Sequence, residues 1–437
     1  MTQAYHGLTE AGLLHSRVGR GTFVAALAAG AQGPGAVDPA RGFAWGGLLA
    51  RRARAVRLPA ALAADALASA AYDFRGGQVD PASLPVADLK RAFRVALESS
   101  ALLASHRDPL GWPPLREAVA RALLARGIRC GPEQVAIVNG AQHGLDLLGR
   151  VLVDPGETVV MEQPGYFGAA IAFGAAETHL LGVGVDAEGL RTDELARILR
   201  ARRVKLVFTT PAVQSPTGVV MSPRRRRELL ALADEYQVPI VEDDYDSELR
   251  YGGPPVPSLL NEDAARRVIY LGTFTKALFG AIRVGYMVAP PDLLWRLALT
   301  RWASDMQTDL VTQAALAELL ESGAFERHVR RVRMVYSARR TALLAALARH
   351  MPEGTSWIQP AGGNAVWLTL PAGSDGPALH DRAAAAGVAY TRGDAFFLDA
   401  AGAGNLQLCF ARLEPSQIEE GIRRLAALLA LPGGFDA

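Results

Sequence analysis

Residues 268–290, VIYLGTFTKALFGAIRVGYMVAP, set one lysine, Lys276, between two apolar runs that read as buried strands. The turn before it is small and hydroxylated, Gly272-Thr273-Phe274-Thr275, and Arg283 follows it. A lysine ammonium is ordinarily a solvated surface charge. In a buried site the amine gives up its proton more readily and becomes a nucleophile, as an imine-forming lysine requires. Arg283, Thr273 and Thr275 add a fixed positive charge and two hydroxyl donors, the groups a phosphate needs. An imine-forming lysine beside a phosphate site points to pyridoxal 5'-phosphate (PLP). The competing reading of the same residues is a strand–loop–strand whose lysine snorkels to solvent.

The elements around this stretch predict where its partners lie. From Tyr72 onward, helical and short apolar patterns alternate, which predicts an α/β fold with a mostly parallel sheet. Strands are expected over 135–138, 158–161, 178–183, 205–209, 239–241, 268–271 and 285–289. Helices are expected over 84–101, 114–126 and from about 141 to 153. After Pro290 the pattern turns helical, with a long basic helix over 325–350, strands over 365–370 and 407–410, and a closing helix over 417–431. The expectation is a large sheet domain of about 72–300 and a smaller C-terminal α+β domain of about 310–437.

Ligands in open α/β sheets gather at the carboxyl ends of strands. Asn139-Gly140-Ala141-Gln142 opens a helix whose first N–H groups suit an anion; the alternative is an ordinary strand-to-helix turn. Tyr166, after 158–161, either stacks on a planar ring or packs in the core. The loop TPAVQSPTG, residues 210–218, is braced by prolines and carries Gln214 and Ser215. Glu242-Asp243-Asp244-Tyr245-Asp246 places four carboxylates at one strand end. They suit either a divalent metal or a pyridinium nitrogen with a tyrosine beside it. No histidine accompanies them, so the second reading is preferred and no metal is expected.

The blocks GAQHGLDLL, EQPGYF, QSPTGVVMSPRRR, IVEDDYDSELRY and VIYLGTFTKALFGAIRVGY occur in that order. Together they resemble the aminotransferase domain of fold-type I PLP proteins. More narrowly they resemble the MocR/GabR branch, in which such a domain follows a GntR-type winged helix. The match runs from about residue 72 to the end. It implies that Lys276 binds the cofactor and shuttles the substrate proton, that Asp243 pairs with the ring nitrogen, and that Tyr245 bonds the phenolic oxygen. It further implies that Gly140, Ala141, Gln142, Thr273, Thr275 and Arg283 cradle the phosphate. Tyr166 would stack on the ring, with Gln214 and Ser215 over its phenolic edge. Departures are informative. His106 stands where the family often has a tyrosine that reaches the neighbouring subunit's phosphate. Ala212 and Val213 replace a Ser-His pair of the regulator branch. Gln407-Leu408-Cys409-Phe410 stands where many aminotransferases carry Arg-Leu-x-Phe, whose arginine takes the substrate carboxylate. Arg412 and Arg392 are the candidates to substitute, against a reading of both as surface arginines.

The N-terminal tail, EAGLLHSRVGRGTFV, resembles the closing helix and wing of a GntR-type domain, with a helix over 2–14 and a hairpin over 15–24. The groove-reading helix would lie before Met1. Residues 1–25 are therefore expected to be a wing remnant, and DNA a partner only where an upstream winged helix is present. Residues 26–71, rich in Ala, Gly and Pro, read as a linker, partly helical near 59–70, with Arg51, Arg52, Arg54 and Arg57 on a solvated face.

Half the residues are apolar, 21% are charged and the net charge is +2, so bulk charge points to neither nucleic acid nor membrane. Cys130 and Cys409 form no metal-type spacing and no disulfide framework, which favours a reducing, cytoplasmic setting. No signal peptide opens the chain and no apolar run is long enough to span a bilayer. The expected function is PLP-dependent transfer of an amino group from an amino acid or amine to a 2-oxo acid. The alternative is a transcription regulator whose PLP domain senses an amino acid or amine. A third course is another PLP reaction, such as decarboxylation or oxidation, because fold does not fix chemistry. The family also implies a homodimer, since two subunits usually build each site.

Overall fold

The computed structural model of the chain describes residues 14–17, 21–24, 48–56, 58–59, 62, 70–76, 79–104, 108–252, 256–399 and 401–430. The chain resolves into two units, residues 1–51 and 52–437. In the first, Leu14–Arg17 pairs antiparallel with Gly21–Val24. Of the expected turn Gly19-Arg20-Gly21, Gly21 opens the second strand, and Gly19 and Arg20 lie outside the described residues. Residues 2–13 of the helix expected over 2–14 lie outside the described residues, as do most of 59–70 and the departure at His106, while Leu14 begins a strand and not the end of a helix.

The second unit is built on an eight-stranded sheet: β1 (Val135–Val138), β2 (Thr158–Gln163), β3 (His179–Asp186), β4 (Gly189–Leu190), β5 (Leu206–Thr209), β6 (Ile240–Asp244), β7 (Val268–Thr273) and β8 (Gly285–Val288). Their order across the sheet is β1-β8-β7-β6-β5-β2-β3-β4. The pairs from β7 through β3 are parallel. β8 runs antiparallel to both β7 and β1, so β1 points the same way as the parallel set. Six strands, β1, β2, β3, β5, β6 and β7, therefore point to one edge, and the loops after five of them, β1, β2, β5, β6 and β7, meet there.

Side chains alternate across the sheet, and each face has its own core. Val241, Ile269 and Leu271 pack with Leu145 and Leu148 of the helix Ala141–Leu152. Ile240, Val207 and Val268 pack on the other face with Leu195 and Leu229. Burying each such aliphatic side chain contributes about 1.5–3 kcal/mol. Both faces are apolar because both are covered, which is why these strands read as continuous hydrophobic runs.

A second, four-stranded antiparallel sheet follows the long helix Ala324–His350. It comprises β9 (Ser356–Trp357), β10 (Ala365–Thr369), β11 (Thr391–Arg392) and β12 (Asn405–Cys409), in the order β9-β10-β12-β11. Tyr72–Asp73 forms a parallel pair with Val388–Ala389, and the Cys409 N–H donates to the Phe74 carbonyl at 2.7 Å. Residues 72–75 are thereby stitched to the small sheet. The two-residue strands went unforeseen because two residues carry no readable period. The helix expected over 84–101 is split. Val86–Leu97 ends, and the Ser99 hydroxyl accepts from the Leu102 N–H to cap a separate turn, Ser100–Leu103.

Candidate active site

A cavity of about 600 Å³ opens at the edge where the five loops converge. Its wall includes Ala141 and Gln142 after β1, Tyr166 after β2, Gln214 and Ser215 after β5, and Asp243, Tyr245 and Asp246 at the end of β6. Thr273, Thr275, Lys276 and Arg283 come from β7 and the β7–β8 connection. The small-sheet side adds Asn364, Thr391 and Gln407, and residues 75–76 add Arg75 and Gly76. Chain separation is large, so the sheet does the assembling.

One end is built for an anion. Gly140 precedes the helix Ala141–Leu152, whose first turn presents the N–H groups of Ala141 and Gln142. Gly140 has φ +80°, and a Cβ there would lie 2.9 Å from an Nη of Arg283. Glycine is required twice, by its backbone and by the approach of that guanidinium. Gly140 itself is not on the wall; it lets Arg283 in. Arg283 holds a left-handed backbone, φ +46°, and donates to the Asn139 carbonyl at 3.3 Å. The Thr275 hydroxyl oxygen is buried with no hydrogen-bond partner.

The carboxylates of β6 part by alternation. Glu242 accepts from the Ser258 hydroxyl at 2.5 Å and from the Leu259 and Leu260 N–H groups at 3.0 and 3.1 Å. Asp244 accepts from Arg126 at 2.8 Å, the Tyr270 hydroxyl at 2.5 Å and the Ser247 hydroxyl at 2.7 Å. Asp243 faces the other way, into the cavity, with Oδ1 buried and unpartnered. Asp246, beyond the strand, is likewise on the wall with an unpartnered Oδ1. Burial pushes the Asp243 carboxyl up to about 7, reinforced by Asp244, while the Lys276 charge pulls it down. Burial also raises Asp246 to about 7, again opposed by Lys276. A buried carboxylate oxygen without a partner is costly. Two such oxygens on one wall mark a place where a ligand could supply the missing donors.

The other expected residues take varied stations. The Lys276 ammonium lies 6.0 Å from the Tyr245 ring centroid. The Tyr245 phenol is pushed far up by burial and by Asp246, with the Ser215 hydroxyl acting to lower it. Tyr166 donates to Gln142 Oε1 at 3.3 Å, and burial raises its phenol to about 12. The Gln142 amide also donates to the Gly168 carbonyl at 2.8 Å, so its side chain braces Tyr166 while its backbone faces the anion end. Gln214 is 1% exposed, and its amide ties together Glu162, the Pro164 and Ser215 carbonyls and Thr217. It holds the loop in shape. Glu162, not singled out in the sequence, anchors that knot. It accepts from Thr209 at 2.5 Å and from Thr210 at 2.7 Å, and burial raises its carboxyl.

The two arginines expected to meet the substrate are not on the cavity wall. Arg392 follows Thr391 in β11, and alternation sends Thr391 to the cavity and Arg392 to Asp394, 3.2 Å away. Arg412 is exposed. Among the described residues, the wall instead carries three cations: Lys276, Arg283 and Arg75. Arg75 gave no sequence signal beyond its place before Gly76-Gly77.

Residues 66–425 match the family model of class I and II aminotransferases. The chain belongs to that family. It is 37% identical over 358 residues to aromatic-amino-acid aminotransferase 1 of Thermococcus litoralis, covering 80% of this chain and 86% of the relative. It is 33% identical over 433 residues to the probable rhizopine catabolism regulatory protein MocR of Rhizobium meliloti, covering 98% of this chain and 85% of that protein. The structure of the α-aminoadipate aminotransferase LysN of Thermus thermophilus, complexed with N-(5'-phosphopyridoxyl)-L-leucine, superimposes with a TM-score of 0.82 at 33% identity, over 89% of this chain and 98% of that one. The fold is that of the fold-type I aminotransferases. Among the described residues no helix is long and apolar enough to cross a membrane.

Proposed function

We propose that this cavity binds PLP and that the chain transfers amino groups between an amino acid or amine and a 2-oxo acid. The observation that carries the reading is the wall itself. A lysine, an anion cradle and a buried unpartnered carboxylate face one space of about 600 Å³. When bound, PLP supplies an aldehyde that condenses with amines and a ring that draws electrons from the substrate's α-carbon. Arg283, the Thr275 hydroxyl and the Ala141 and Gln142 N–H groups bind the phosphate. Asp243 Oδ1 keeps a proton on the ring nitrogen. Lys276 Nζ would hold the cofactor and, once released from it, would carry the substrate's α-proton. Tyr245 and Ser215 orient the phenolic edge, and Tyr166 covers a ring face. The purified protein should be yellow, and borohydride should fix the cofactor to Lys276. A colourless protein that takes up no PLP would end the reading.

A regulator that senses its ligand through the same cavity is the second reading. It is favoured by the alignment with MocR along 98% of the chain and by the hairpin at 14–24. Salt-sensitive binding to the gene's own upstream DNA is its test. Homodimerisation fits either reading. Trp295, Leu299 and Trp302 of the helix Pro291–Trp302 are exposed, with Met306 beyond them. Such a stripe invites a partner surface, and sedimentation of the holoprotein decides it. The division into domains of about 72–300 and 310–437 is supported by the separate core around the small sheet; limited proteolysis near residue 305 would test it. A cytoplasmic setting is supported by two cysteines that stay as thiols and is checked by cell fractionation.

A further inference from the structure

We infer that Arg75 is the carboxylate-binding residue of the substrate side of this cavity, so that the preferred partner is an amino acid and not the matching amine without its acid group. The inference rests on the PLP reading above and names its substrate class. Of the three cations on the wall, Lys276 holds the cofactor and Arg283 stands against the helix N-terminus that takes the phosphate. Arg75 is the one that neither task uses. An acid substrate entering here meets Asp243 and Asp246 on the same wall, so it requires a counter-charge.

The guanidinium is held for the purpose. Asp73 takes Nε at 2.8 Å, Nη2 at 2.8 Å and the Arg75 backbone N–H at 3.0 Å. The two guanidinium bonds to one carboxylate fix the plane of the group, and the third holds the Arg75 backbone to the same carboxylate. The Asp73 carboxyl is lowered below its ordinary value; burial opposes this, and the Arg75 bonds and charge outweigh it. Residues 72–75 are anchored by the strand pair with Val388–Ala389 and by the Cys409-to-Phe74 bond. Next to Arg75, Gly76 has no side chain, and a Cβ there would lie 3.5 Å from Gln407 Oε1. The Gln407 amide and the Arg75 guanidinium therefore border one opening, with Asn364 also on the wall. A fixed guanidinium flanked by neutral amides suits a planar carboxylate.

The test uses the full-length holoprotein and reads loss of its visible cofactor band on addition of amines. The probes are the common L-amino acids, each paired with the amine left by removing its α-carboxylate. Wild type should respond at lower concentration to the amino acid of each reactive pair. Arg75→Gln should raise the half-saturating concentration of the amino acid roughly 10- to 100-fold and leave that of the amine unchanged. Arg75→Lys should fall between. Asp73→Asn should move the amino acid in the same direction by less, with the band intact. Equal responses to amino acid and amine in wild type, or an equal change for both in Arg75→Gln, overturn the inference. Should Arg75→Gln lose the band, Asp73→Asn decides, and an unchanged preference there overturns it. A wild type with no band, or a band that no probe alters, overturns the PLP reading instead.

Discussion

The end of β6 shows two faces of one sheet with opposite economies. On one face Glu242 and Asp244 are saturated by Ser258, two backbone N–H groups, Arg126, Tyr270 and Ser247. Toward the cavity, Asp243 and Asp246 each keep a buried oxygen with no donor. The sequence Glu-Asp-Asp-Tyr-Asp is nearly uniform chemically. Alternation assigns the strand's carboxylates to different work, one face to holding the fold and the other to holding a ligand. Buried polar groups left unmatched are expensive, so their persistence marks where function has taken precedence over stability.

Substitutions along this short run can break that contrast. Asp243→Asn should retain the cofactor band and lower turnover by about 10²–10³-fold, roughly 3–4 kcal/mol of lost transition-state stabilisation. Undiminished turnover would show that another group serves the ring nitrogen. Asp244→Asn should leave a buried part of Arg126 uncompensated and cost about 3 kcal/mol. It would be read as a lower denaturation midpoint, with little change in turnover once folded. Asp246→Asn should have the smallest effect and the most diagnostic sign. The folded Asp246 carboxyl titrates near 7 against an ordinary 3.8, so across that interval the folded state holds more protons than the unfolded one. Stability of the cofactor-free protein therefore falls as pH rises from about 4 to about 7. The variant should flatten part of that fall, gaining about 1–2 kcal/mol at pH 8 and nothing below pH 4. Lys276, Asp244 and Glu248 all act on this carboxyl, so the same scan on Lys276→Ala should steepen the fall. An unaltered slope in Asp246→Asn would remove the contrast between the two faces.

Much of the sheet side of the site was legible in the sequence. A lysine and an arginine bracketed by buried strands, and acids closing an apolar run, conflict with their surroundings, and such conflicts are readable. The strands themselves were legible because both faces are covered and the runs are apolar throughout. The substrate side was not. Arg75 follows a two-residue strand, and its placement depends on pairing with residues more than three hundred positions later. Arg392 and Arg412 were drawn in by their nearness to Gln407 in the chain. Alternation in β11 turns Arg392 to Asp394, and Arg412, exposed in the loop after β12, lies off the cavity wall with its charge acting on Asp73. Glu162 was overlooked because a carboxylate at a strand end looks like a solvated terminus until Thr209 and Thr210, at and just past the end of the neighbouring strand, are seen to close over it.

Lys276 and Arg283 share the single connection between β7 and β8, which is closed at its base where Thr273 lies opposite Gly285. The lysine and the arginine proposed to hold the cofactor are thus two points on one short bracket clamped at both feet in the same sheet. A movement of the distant strands would carry the lysine and the arginine together, because the span between them is set inside the bracket.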